Sequence, residues 1–329
     1  MLEVSDLHVG FYRQNGVLEA VRGVSFSIGE SEVVGLVGES GSGKSVTASA
    51  LLRLWQPPQA FVTGSVCVDG TEAYSLKQSD LTAYRSRYFG YISQEPYQSF
   101  DPLATIGQNF LEMFRIKNPK IRKKESNMRA VELLGEVGIS RPEERLSGFP
   151  HQFSGGMLQR IMIALALGGE GRLLIADEPT TALDVTVQAQ IIRLLLDLKK
   201  KRGFSVLFIS HDLELVSVVS DRILVMYGGV IVESGPASAV AGSPLSPYTR
   251  ELLNSKPQPG MSYRNGRCRP IPGTVADPLH PEPGCPFEPR CPYRHPECTR
   301  RMPPLKGDGH LYRCLLPETQ LHAEGGSRE

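Results

Sequence analysis

The octapeptide Gly38-Glu39-Ser40-Gly41-Ser42-Gly43-Lys44-Ser45 constrains this 329-residue chain more than any other feature. It fits G-x-x-x-x-G-K-[ST], after the apolar run Val33–Val37 and before a helix-compatible stretch from Val46, the context that gives the pattern meaning. A glycine-rich loop between strand and helix lets backbone N–H groups close around phosphate oxygens, because no Cβ blocks the approach. The helix N-terminus adds positive potential. In that frame Lys44 reaches the β- and γ-phosphates of a nucleoside triphosphate and the Ser45 hydroxyl binds Mg²⁺. The loop by itself leaves kinases, GTPases and motor ATPases open.

Residues 1–235 alternate two textures. Leu173–Ala176, Val206–Ile209 and Ile223–Met226 are apolar runs suited to buried strands, as is Val33–Val37. Val187, Ile191, Leu194, Leu195 and Leu198 recur at helical spacing before the basic run Lys199–Arg202. Strands alternating with helices predict an α/β fold with a largely parallel sheet, a P-loop NTPase core. Residues near 95–165 are more helical and predict an inserted helical subdomain. Beyond Gly235 prolines multiply and apolar periods vanish. The segment 236–329 is too poor in apolar residues for a large core of its own and is expected to need a staple. The tail after Pro317 is expected to be disordered.

Composition narrows the partners. Lys+Arg number 36 and Asp+Glu 35, a net charge of +1 that gives no reason to expect nucleic acid. No run reaches the roughly 18 apolar residues of a membrane span. Ile161–Leu167 is short and reads as a core helix, and Trp55 as packing. Met1–Val4 shows no basic-then-apolar leader, so a cytoplasmic location is expected, with any membrane role exercised through other subunits.

A second constellation lies at Arg172–Glu178, a buried strand ending in two acids. Ligand sites of parallel sheets form at the carboxyl ends of strands. There Asp177 would hold Mg²⁺ through water, and Glu178 would orient and polarise an attacking water. A strand leaving into a polar turn at Pro179 would look similar, so the pair acquires weight only beside the phosphate loop.

Further motifs complete a pattern. Phe153-Ser154-Gly155-Gly156-Met157 resembles the signature motif of ABC-type ATPases; Asp177–Thr180 followed by Ala182-Leu183-Asp184 resembles their Walker B and D-loop; Ser210-His211-Asp212 resembles their switch histidine, and Ser93-Gln94-Glu95-Pro96 their Q-loop. The run His151–Met157, the stretch Ala176–Gln190, Pro247-Tyr248-Thr249 and the cysteine-rich end look like the dipeptide/oligopeptide/nickel importer branch. Leu158 departs from the basic residue more common there in peptide members.

The resemblance implies a RecA-like P-loop core with ABC-type antiparallel β and helical subdomains and a small cysteine-rich C-terminal extension, forming a motor that hydrolyses ATP to drive import of peptides, or of nickel or metal chelates. It acts at the cytoplasmic face of the inner membrane, beside two membrane-spanning permease subunits and an extracytoplasmic substrate-binding protein. Two ATPase subunits, either a related pair or two copies of this chain, would close head to tail on two ATP molecules. Ser154, Gly155 and Gly156 would contact the ATP held by the partner's loop, through N–H groups at a helix N-terminus. Gln94 would join the Mg²⁺ and water shell. His211 would hydrogen-bond the γ-phosphate and steady Glu178, and Asp184 would signal across the dimer. Phe11, with Tyr12 close behind, would stack on adenine. Without the resemblance, Ser154 and Asp184 are ordinary helix caps and His211 a helix-start histidine.

Four cysteines, Cys285, Cys291, Cys298 and Cys314, are spaced x5, x6 and x15. From spacing alone zinc, an iron–sulfur cluster and unmetallated thiols stay open. The resemblance implies a [4Fe–4S] cluster, with zinc as the alternative, and the expected role is a structural staple. Cys67 and Cys268 fall outside the set. Arg264, Arg267, Arg269, Arg290, Arg294, Arg300 and Arg301 make the region basic, a pattern expected of a solvated face. Two rival functions remain: an ABC-type ATPase associated with nucleic acid or ribosomes, and a small-molecule kinase on the same phosphate loop.

Overall fold

The computed structural model describes residues 1–181, 183–255 and 270–317. Ala182 of the Ala182-Leu183-Asp184 motif, Cys268, Arg264, Arg267, Arg269 and the tail beyond Pro317 lie outside them. The chain forms two compact units. One comprises Met1, Ile28–Glu32 and Val68–Ile209; the other comprises Leu2–Ser27, Val33–Cys67 and the described residues from Ser210 onward.

The second of these units opens the chain with β1 (Leu2–Arg13), β2 (Gly16–Ile28), β3 (Val33–Val37), α1 (Lys44–Leu51) and β4 (Ala60–Val68). The first unit then supplies β5 (Thr71–Glu72), α2 (Leu81–Tyr88), β6 (Phe89–Ile92), α3 (Ile106–Lys117), α4 (Lys123–Glu136), α5 (Pro142–Arg145), α6 (Gly155–Gly168), β7 (Leu173–Asp177), α7 (Val185–Arg202) and β8 (Ser205–Ser210). The second unit resumes with α8 (Leu213–Val219), β9 (Arg222–Tyr227), β10 (Val230–Pro236), α9 (Ala237–Gly242), α10 (Pro247–Asn254), α11 (Glu297–Arg300), β11 (Leu305–Lys306) and β12 (Leu311–Arg313).

In the first unit β6, β7 and β8 run parallel, with Gly90 opposite Leu174 and Ile175 opposite Leu207. All five residues of β7 are buried, as expected of a strand covered on both faces. The predicted stripe of α7 buries Ile191, Leu195 and Leu198. That helix ends at Gly203, whose φ of 73° closes the last turn, while Lys199–Arg202 place positive charge at the negative end of the helix dipole. Helices α3 to α6 occupy the stretch read as helical from the sequence. The first of them starts on a capping box between Thr105 and Gln108.

In the second unit β3 lies parallel to β9, with Leu36 opposite Leu224. From there the sheet turns antiparallel. β9 and β10 form a hairpin closing at Tyr227 and Val230, and the intervening Gly228 and Gly229 have φ of 54° and 82°. A two-residue turn with both φ values positive matches the twist of antiparallel strands and calls for glycine. β12 pairs antiparallel with β10, Glu233 opposite Tyr312, and β11 pairs with β12. The extension beyond 235 therefore continues an existing sheet, because a strand edge offers unpaired N–H and C=O groups that a new strand can satisfy without a new core. It also shares the unit's core: Tyr248 and Phe287 are buried, and their rings lie 4.5 and 5.4 Å from that of Tyr227.

Candidate active site

The phosphate loop joins the buried strand β3 to α1 in the second unit. Gly43 is the N-cap with φ 105°, and a Cβ there would run into the Ala20 carbonyl oxygen. No L-residue suits that backbone, which explains the final glycine of the motif. Lys44 is buried, and its ammonium donates to the carbonyls of Gly38 (2.8 Å) and Glu39 (2.9 Å) and to Ser42 Oγ (3.4 Å). These acceptors fix the ammonium within the loop, where it can meet an anion. Ser40, Gly41 and Ser45 are exposed. Thr47 Oγ1 donates to Gly43 O at 3.0 Å and ties the helix to the loop.

The two acids sit in the first unit at the end of β7. Asp177 is 4% exposed and accepts a hydrogen bond from Tyr91 Oη at 3.3 Å. Burial, and then the charge of Asp177, push the Tyr91 phenol above the usual range, so it stays a donor. Glu178 has a left-handed backbone (φ 47°), and its N–H donates to Ile209 O at 3.0 Å. A non-glycine residue held at positive φ is a common mark of functional sites. One oxygen of its carboxylate, Oε2, receives Gln94 Nε2 (3.2 Å) and Thr181 Oγ1 (2.9 Å). Gln94 and Glu178, 84 positions apart, are thus brought together. Tyr91 and Thr181 are partners of the two acids that sequence reasoning missed. No spacing rule singles out Tyr91, whereas Thr181 lies in the quoted run beside Glu178.

The remaining motif residues take local roles too. Ser154 is the N-cap of α6, its hydroxyl accepting from Met157 N at 3.4 Å, and Gly155 and Gly156 form the first turn. The 14-residue helix begins with its N–H groups at an exposed serine, a geometry suited to an anion. Asp184 caps α7, accepting from Thr186 N and Val187 N at 3.0 Å each. His211 is exposed after β8 in the second unit, and Asp212 caps α8 by accepting from Leu215 N at 3.1 Å. Phe11 is half-buried and packs edge-on against Trp55 at 4.8 Å, and Tyr12 is exposed.

Cys285, Cys291, Cys298 and Cys314 line one cavity of about 280 Å³ in the second unit, with Cys67 elsewhere on β4. Burial pushes the Cys285 thiol up to about 11 and the Cys291 thiol up to about 12, and Cys314 also rises; the neighbouring thiols add to each shift. The Cys285 N–H donates to the Cys298 carbonyl at 2.7 Å. Among the described residues no group of three or more His, Cys, Asp or Glu side chains is disposed to hold a single metal ion. Arg290, expected on a solvated face, is instead buried. The expectation failed because it rested on local charge density, while a side chain 251 residues away, Glu39, accepts its guanidinium.

Residues 21–181 match the ABC transporter family, and residues 232–298 match the oligopeptide/dipeptide transporter C-terminal region. The chain is 44% identical over 306 residues to the oligopeptide transport ATP-binding protein OppD of Bacillus subtilis, covering 93% of this chain and 85% of that one. It is 41% identical over 321 residues to the dipeptide transport ATP-binding protein DppD of the same organism, covering 97% and 95%. Among solved structures it is similar to a dimeric ATP-binding cassette in a post-hydrolysis state bound to ADP and Pi, with TM-score 0.64, 27% identity, and coverage of 72% of this chain and 99% of that one. A second is cbiO1 from Clostridium perfringens, part of an ABC transporter complex, with TM-score 0.61, 26% identity, and coverage of 73% and 89%. No helix among the described residues is long and apolar enough to cross a membrane. The chain belongs to the ABC transporter ATPases, in their oligopeptide/dipeptide transporter branch.

Proposed function

We propose that this ATPase is the motor subunit of a peptide importer. The observation that carries the reading is the continuity of the match: similarity to transport ATP-binding proteins named for oligopeptides and dipeptides runs over nearly the whole chain, C-terminal region included. That continuity disfavours a role on nucleic acid or ribosomes, and a kinase would not need Ser154–Gly156. Nickel or metal chelates as cargo rest on the sequence resemblance alone.

The roles follow from the chemistry of the side chains. Gly38–Ser45 cradles the phosphates of ATP, with Lys44 against the β- and γ-phosphates. Ser45, Gln94 and Asp177 are hard oxygen donors, which suits Mg²⁺. They would hold that ion, and bound there it neutralises phosphate charge. Glu178 accepts a proton from the attacking water as its oxygen bonds to phosphorus, and ADP leaves. Gln94 and Thr181 keep the Glu178 carboxylate aimed. His211 steadies the γ-phosphate. Ser154, Gly155 and Gly156 complete the site of a partner ATPase, either a related chain or a second copy. γ-Phosphate joins the two subunits, and its loss lets them part. Phe11 stacks on adenine once it turns from Trp55. The ATP-binding domain spans 1–235, with a helical subdomain over 95–165, and works at the cytoplasmic face of the membrane with two permease subunits and an extracytoplasmic binding protein.

Four thiols around one cavity form a soft donor set. The sequence resemblance favours a [4Fe–4S] cluster on them, with zinc as the alternative. The cluster would staple the extension 236–329. Iron and sulfide analysis of anaerobically purified protein tests this, with about four of each expected per chain; zinc in stoichiometric amount would overturn it. For the motor, co-expression with neighbouring membrane subunits should yield a complex whose ATPase activity rises when peptide-loaded binding protein is added. Failure to associate with any membrane subunit would overturn the reading.

A further inference from the structure

Glu39 is the one acidic residue of the phosphate loop. A carboxylate in a segment built to receive triphosphate opposes the ligand's charge unless it is cancelled. The structure cancels it with Arg290, which follows Glu288-Pro289 in the short turn between Cys285 and Cys291. The guanidinium meets both carboxylate oxygens, Nη1 to Oε2 at 2.7 Å and Nη2 to Oε1 at 3.1 Å. This bidentate fork fixes direction as well as charge.

Arg290 is itself immobilised, with its side chain 4% exposed. Nε donates to Pro272 O at 2.9 Å, Nη2 to Ile271 O at 3.2 Å and Nη1 to Tyr227 Oη at 3.2 Å. The Glu39 N–H donates to Tyr248 Oη at 2.8 Å. On its other side, the Glu39 carbonyl accepts from the Lys44 ammonium. Glu39 is therefore gripped at its amide and carboxylate by residues beyond 235, and at its carbonyl by the phosphate-binding lysine.

We propose that Arg290 is a positioning residue of the nucleotide site: by neutralising and orienting Glu39 it sets the affinity for ATP, which makes the C-terminal extension part of the ATP site. This rests on Gly38–Ser45 being the ATP loop. A purely architectural arginine would affect folding and leave the affinity of folded protein unchanged.

The test uses the full chain, with fluorescent-nucleotide titration and steady-state ATPase kinetics on Arg290→Ala, Arg290→Lys, Glu39→Gln, the Arg290→Ala/Glu39→Gln double variant and Lys44→Ala. Arg290→Ala should raise Kd and KM for ATP by about tenfold while kcat changes much less. Arg290→Lys, which keeps the charge and loses the fork, should fall between wild type and Arg290→Ala. The double variant should bind ATP more tightly than Arg290→Ala, because the uncancelled carboxylate is gone. An unchanged KM in Arg290→Ala, or a double variant no tighter than the single, would overturn the proposal. If Arg290→Ala does not fold, the same comparison is made between Arg290→Lys and Arg290→Lys/Glu39→Gln. Lys44→Ala separates the two readings: nucleotide binding unaffected there would sink the assignment of the loop itself.

Discussion

The Gln94 carboxamide donates to Glu178 Oε2 across 3.2 Å and so links the loop after β6 to the acid that follows β7. Thr181 shares the same oxygen at 2.9 Å. The two donors fix the direction of the carboxylate that is proposed to act on water. Removing the Gln94 amide should therefore cost turnover more than binding. Gln94→Ala is expected to lower kcat by about tenfold with KM changed less than about twofold, measured by steady-state phosphate release. A rise in KM at constant kcat would place Gln94 in nucleotide binding instead.

Glu178→Gln preserves size and most hydrogen bonding and removes basicity. ATP affinity should be kept, while phosphate release falls by at least about a hundredfold, the usual contribution of a positioned base. Titration and single-turnover assays on one preparation check both halves. Turnover near wild type would remove Glu178 from the base role.

Gly43→Ala asks whether backbone geometry makes the phosphate loop. With φ 105° and the Ala20 carbonyl in the path of a Cβ, alanine forces the loop to move. Nucleotide binding should be lost and Tm lowered. Gly41→Ala, where a Cβ would meet nothing within 4 Å despite φ 79°, should be milder in both respects. Equal effects at the two positions would contradict this account.

Glu233 is 0% exposed and accepts from Leu245 N at 2.7 Å and Ser246 N at 2.9 Å, with His310 Nε2 at 2.7 Å. It thus fastens β10 to the start of α10 and to the turn before β12. Glu233→Ala would strand two buried amides, a loss of about 3 kcal/mol. The measurement is urea denaturation, with limited proteolysis to show cleavage beginning after residue 236. An unchanged midpoint would mean that the extension is held by other contacts.

Much of the site was legible because its motifs are local. The phosphate loop is one octapeptide, the acids end one apolar strand, and Ser154 and Asp184 cap helices that directly follow them. Local spacing also foretold β3, β7, β8 and β9, since buried strands are continuous apolar runs. What escaped was distant pairing. Tyr91 meets Asp177 from 86 positions away, and Arg290 meets Glu39 from 251. Nothing in either neighbourhood distinguishes such side chains from surface residues, because their partners are chosen only when the backbone has folded.

The sequence alone determined the phosphate loop, the helix caps and the strand-end acids, which are set by interactions within a few residues, and its motif set carried the resemblance to ABC transporter ATPases. Only the tertiary structure decided that the proline- and cysteine-rich end would join the sheet of the phosphate-loop unit and send Arg290 to Glu39. An ion pair that buried depends on the desolvation and geometry of the completed fold, and no stretch of sequence carries that information by itself.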